Sequence, residues 1–172
     1  EINQTAGKLS VVNGPTNLTA DTDITLNSAN NDFNGTVNAS GDNIALTDGT
    51  GGLTLGDITA GGTFDVTSTG GAIDQAADTT ITVTGETSLA ASDAGNPADI
   101  TLDGANNDFS TVNAEGAAIT LVDVNNLTLG DVTATGKLDA TAADSLDLAG
   151  TLSAQSLNLQ ATKGDITQSA GT

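Results

Sequence analysis

Pairs of the form apolar-x-apolar return along this chain about every nineteen residues, and no feature restricts its fold more. Ile24/Leu26, Ile44/Leu46, Phe64/Val66, Ile81/Val83, Ile100/Leu102, Ile119/Leu121, Leu138/Ala140 and Leu157/Leu159 form one column. Their first members are separated by 20, 20, 17, 19, 19, 19 and 19 positions, with Leu9/Val11 as an irregular forerunner. Eight or nine residues after each member stands another large apolar residue: Leu18, Phe33, Leu53, Ile73, Leu89, Phe109, Leu127, Leu146 and Ile166. A third, incomplete column holds Val37, Ile58, Val112, Val132 and Leu152. Three short strands per period, with alternate side chains pointing inward, describe a chain wound into a β-solenoid. Each coil buries too little to fold alone, whereas stacked coils pair strands in parallel at roughly 4.8 Å and join their apolar residues into ladders. The period predicts an all-β parallel β-helix of roughly nine coils, about 40 Å long at one strand spacing per coil.

A longer repeat lies over the short one. The phrase DITLNSANNDF, Asp23 to Phe33, returns 76 positions later as DITLDGANNDF, Asp99 to Phe109. Between the strand signals stand turn formers: DGTGG from Asp48, TGG from Thr69 and NPA from Asn96. They supply Gly for positive φ, Asn and Asp for side-chain-to-backbone bonds, and Pro where no ladder bond is wanted. The NND stretches at Asn30 and Asn106 are read in the same way, as corner chemistry in place of a ligand site.

Composition agrees with strands and tight turns over helices. Tyr, Trp, Met, Cys, His and Arg are absent, and the aromatics are Phe33, Phe64 and Phe109, all on inward columns. The chain carries 22 acidic residues against Lys8, Lys137 and Lys163, a net charge of −19. Such a surface repels nucleic acid and anionic membranes, so neither is expected as a partner. No apolar run approaches the roughly 20 residues of a bilayer span. The absence of Cys fits secretion without a disulfide framework. The opening EINQTAG, without Met, reads as a segment whose targeting signal lies elsewhere.

LTLGDITAGG (Leu53 to Gly62), its echo LTLGDVTATG (Leu127 to Gly136), NDFNGTV (Asn31 to Val37) and GDITQSAGT (Gly164 to Thr172) together resemble the repeat region of filamentous-haemagglutinin-like exoproteins. The resemblance covers nearly the whole chain. It implies a right-handed parallel β-helix from a large bacterial adhesin, exported by two-partner secretion. The family's secretion domain, marked by an Asn-Pro-Asn-containing signature, is not matched: NPA at Asn96 is a partial match within a turn.

Chemistry has few carriers here. Without His or Cys there is no His-dependent nucleophile and no thiolate or imidazole ligand, so no catalytic, cofactor or metal residue is assigned. A carboxylate pair acting on a sugar would have to use Asp21/Asp23, or Asp42 beside Asp23 one coil on, without Arg, Tyr or Trp to grip the substrate. An ice-binding face would need an outward row of Thr. The outward positions of the first column read Thr25, Ala45, Asp65, Thr82, Thr101, Thr120, Asp139 and Asn158, a row interrupted by charge. The calcium β-roll nonapeptide is absent, leaving weak, diffuse calcium between carboxylates such as Asp23 and Asp42.

The expectation is a non-enzymatic stalk or filament segment at a bacterial surface or outside the cell, with residues 1–172 one solenoid stretch of a longer array. The expected partners are neighbouring repeats or further copies end to end. The alternative is a module that binds glycans or host surfaces through one solenoid face. EINQTAGK at the start and DITQSAGT at the finish share a phase, so another coil is expected to continue the pattern.

Overall fold

The computed structural model describes residues 1–170. Its strands stack in parallel as a β-solenoid of about eight turns, with no helix among the described residues. Twenty of its short strands join one continuous sheet wrapped around the axis. Inward side chains from three faces, commonly two to a strand, fill the interior in files.

On the first face the file runs Ile2, Ile24, Ile44, Phe64, Thr87 and Val112, each paired with the next. The second face stacks Leu53, Ile73, Ile100, Ile119, Leu138 and Leu157. The third stacks Leu18, Ala39, Ile58 and Ile81, and further along pairs Leu127 with Leu146 and Ile166. Mid-array members such as Ile44, Ile100, Ile119 and Leu121 are fully buried. Each contributes on the order of 1.5–3 kcal/mol of apolar burial before chain entropy is counted. β-Branched and Leu side chains dominate because each rung meets another apolar rung above and below.

The columns drawn from the sequence do not each follow one file. Ile24, Ile44 and Phe64 lie on the first face, Ile81 on the third, and Ile100 onward on the second. The successor of Phe64 is Thr87, 23 positions on, and Ile100 stacks on Ile73, 27 positions back, where most turns take 19 or 20. Spacings of 17 and 19 around Ile81 imitate the period while the chain changes face. The longer turns also bring the count to about eight in place of roughly nine. The surplus residues occupy the corner around Asp78, whose φ is 60°, and a small antiparallel flange.

In the flange Ser92 pairs with Pro97 and Asp93 with Asn96, while Gly70 and Gly71 pair with Asp93 and Ser92 on the other side. Its two-residue turn has φ of 48° at Ala94 and 81° at Gly95, the pair of left-handed residues that a tight hairpin requires.

The 76-residue echo is explained by the same geometry. Ile24 belongs to the first face and Ile100 to the second, so one long repeat spans three turns and one further face. Successive long repeats are therefore rotated by one face about the axis.

Candidate functional site

Two sets of polar residues stand out against the ladders: buried braces at the corners and a groove on the first face. In the first brace Asn31, fully buried, exchanges amide hydrogen bonds with Gln4: Asn31 Nδ2 donates to Gln4 Oε1 at 2.8 Å, and Gln4 Nε2 donates to Asn31 Oδ1 at 2.7 Å. Asn31 Oδ1 also accepts the Leu9 N–H at 2.9 Å, and Asn31 Nδ2 donates to the Leu26 carbonyl at 3.1 Å. The long repeat reproduces the brace one face over. Gln75 and Asn107 exchange bonds at 2.8 and 2.7 Å, and Asn107 Oδ1 accepts the Ile81 N–H at 2.9 Å.

Each brace is joined by a carboxylate on the following coil. Asp48 accepts the Phe33 N–H at 2.8 Å and the Thr50 N–H at 3.2 Å; Asp123 accepts those of Phe109 and Asn125 at 2.7 and 2.8 Å. Both are buried, and burial pushes both carboxyl groups above the usual carboxylate range against the opposing pull of those N–H donors. The neighbouring charges are Asp32 and Lys8 for Asp48, and Asp108 and Asp144 for Asp123.

The reading of NND as corner chemistry holds for Asn31 and Asn107, whose side-chain amides bond to groups of their own chain. Sequence reasoning missed Gln4, Gln75, Asp48 and Asp123. The signal was available: Ile2-Asn3-Gln4 matches Ile73-Asp74-Gln75, and Asp48 and Asp123 lie 75 positions apart, close to the period of the repeated phrase.

The carboxylates weighed for sugar chemistry line neither of the hollows described below. Asp23 Oδ1 accepts both the backbone N–H and the side-chain amide of Asn43, at 3.1 and 2.9 Å, while Asp21 and Asp42 stand exposed at a corner. The row of outward Thr is likewise divided. Thr101 adjoins Thr120 on the second face, whereas Thr82 stacks between Thr59 and Asp108 on another.

A groove of about 380 Å³ crosses the outer side of the first face. Ser88 and Ala90 form its low floor, between Asp65 and Thr67 on one coil and Asn113 and Glu115 on another, with Asp131 beyond. The depression follows from registry, since small side chains lie between longer ones in the same rows. Past Thr67 and Glu115 it continues into a second hollow of about 170 Å³ walled by Gly95 and Pro97 of the flange. The three Lys are engaged elsewhere, with Asp32, Asp139 and Asp144, so the rim keeps a negative field.

A family profile described as repeats of unknown function (DUF5649) matches residues 1–40, 41–115 and 116–167. Its middle segment is 75 residues long, within one residue of the 76-residue long repeat. No curated protein and no solved structure matches the chain.

Proposed function

The chain belongs to the DUF5649 repeat family, and from that premise we propose that it is a non-enzymatic stalk or filament segment of a bacterial surface or secreted adhesin. The observation that supports this reading most is the unbroken parallel stacking of coil on coil along the axis. Coils paired along their full perimeter make a narrow rod that resists bending, because bending separates strands on one side and crowds them on the other. Such a rod holds a binding element at a distance from its anchor. The likeness of Leu53–Gly62 and Leu127–Gly136 to filamentous-haemagglutinin-like repeats is what directs the proposal toward adhesins and an extracellular setting.

The groove beside the flange favours a second reading, recognition of a glycan or host surface through the first face. Glycan arrays and cell-binding assays with the chain, alongside a groove-filling Ser88→Arg variant, separate the two. No saturable binding by either form supports the stalk. Binding that Ser88→Arg abolishes would move the assignment to a recognition module.

A further inference from the structure

Two Asn-Gly dipeptides occupy the same corner of adjacent coils, Asn13-Gly14 and Asn34-Gly35. Stacking is so close there that a Cβ on Gly35 would lie 2.1 Å from the Gly14 carbonyl oxygen, so residue 35 must be Gly. The two asparagines share the Gly that follows, both are exposed, and they differ in how the fold holds them. Asn34 donates its backbone N–H to the Val11 carbonyl at 3.0 Å and its side-chain amide to Asp32 Oδ1 at 2.8 Å. Asn13 is exposed and makes neither kind of bond among the described residues; Gly14, with φ of 95°, has nothing within 4 Å of where a Cβ would stand.

We propose that Asn13 is a self-modifying site, at which the backbone nitrogen of Gly14 converts the side-chain amide to a succinimide and then to aspartate or isoaspartate, while Asn34 is protected by its coil. In the first step the Gly14 nitrogen attacks Cγ of Asn13. A new C–N bond closes a five-membered ring, the bond from Cγ to Nδ2 breaks, and ammonia leaves carrying the amide proton. Water then adds to one of the two ring carbonyls. Opening on one side yields Asp; opening on the other yields isoaspartate, with the main chain rerouted through the side-chain carbon.

The reaction needs three things that Asn13 has. Its side chain is free to rotate, the attacking nitrogen donates to no acceptor among the described residues, and no side chain on residue 14 blocks the approach. Asn34 lacks the first of these, because its ring closure must break the side-chain bond to Asp32 while the bond from its backbone N–H to Val11 holds it against the neighbouring coil. The product is consequential for the fold. It adds a carboxylate at the corner, and isoaspartate lengthens the main chain between the strands Ser10–Val11 and Thr16–Thr19. The Gly14 carbonyl, against which Gly35 rests, would shift and loosen the first coil.

The test is timed incubation of the chain in mildly alkaline buffer, followed by cleavage at aspartate and mass spectrometry of the peptides holding each Asn. With its side-chain hydrogen bond to Asp32 to be given up, Asn34 should convert roughly fivefold more slowly than Asn13. In concentrated urea the two rates should converge. Asp32→Ala should speed Asn34 and leave Asn13 unchanged, and Asn13→Gln should remove the fast product altogether. Equal rates in the folded chain, a faster Asn34, or a large difference that survives in urea would overturn the proposal.

Discussion

Leu121 and Thr120 are sequence neighbours on opposite sides of one strand, and aspartate at each should have opposite consequences. Leu121 is fully buried, stacked between Leu102 and Ala140. Truncating such a residue costs about 2–5 kcal/mol, part lost transfer energy and part cavity. A carboxylate in its place adds the cost of an unpaired charge, or is held protonated, and several kcal/mol more is expected. The sum is comparable with the roughly 5–15 kcal/mol of net stability of an ordinary domain. Thr120 points outward, between Thr101 and Asp139 in its row. A carboxylate there meets Asp139 at about one strand spacing through water, a repulsion of about 1 kcal/mol before salt screening. For a chain of this size 1 kcal/mol moves Tm by about 2–4 °C. Circular dichroism melts should therefore show Thr120→Asp within about 4 °C of the parent, and Leu121→Asp lower by more than about 15 °C or unfolded at room temperature. Stability of Leu121→Asp should recover in part as pH falls, since the neutral acid is easier to bury. Comparable melting temperatures for the two variants would refute the register.

Three further outcomes are expected. The raised carboxyl groups of Asp48 and Asp123 favour the protonated form when folded, so they weaken the solenoid above their folded pKa. That cost is relieved as pH falls from neutrality toward the ordinary value of 3.8. Exposed Asp147, lowered by the Ser169 and Thr167 hydroxyls, acts oppositely, its contribution fading as pH falls below 3.8. Tm should rise on mild acidification and fall again in stronger acid, and the Asp48→Asn/Asp123→Asn pair should flatten the rise. The Thr87 hydroxyl is buried without a hydrogen-bond partner among the described residues, in a file otherwise apolar. Thr87→Val should raise stability by about 1 kcal/mol in a denaturant titration, and a loss would mean that the hydroxyl is satisfied. With a net charge of −19 spread over about eight turns, screening should stabilise. Sodium chloride should raise Tm as the Debye length shrinks from about 30 Å at 0.01 M to about 8 Å at physiological strength. Calcium at matched ionic strength should raise it further and gradually, whereas a stoichiometric jump would reveal a built metal site.

The fold class was legible because a solenoid writes its period into the chain. Strand alternation makes Ile119 and Leu121 inward and Thr120 outward whatever the turn does, and glycine, asparagine and aspartate mark the corners. The composition could be read as strand-and-turn for the same local reasons. Which rung lies on which was beyond it. Phe64 and Ile81 are spaced like successive rungs, yet Phe64 stacks on Thr87 and Ile81 on Ile58. Registry depends on how many residues each corner consumes, and the corner at Asp78 and the flange at Asp93–Asn96 consume extra ones without advancing the coil. The braces lay hidden for a related reason. Gln75 meets Asn107 at 2.7 Å across 32 positions, a distance that only the completed turn closes, and the burial that shifts Asp48 and Asp123 exists only once neighbouring coils exclude water. Local direction, in or out and strand or corner, could be read from the chain because it is a property of adjacent residues. Partners, faces, the groove and the carboxyl environments emerge only from the folded solenoid, because each is set by residues that meet after the chain has gone once around the axis.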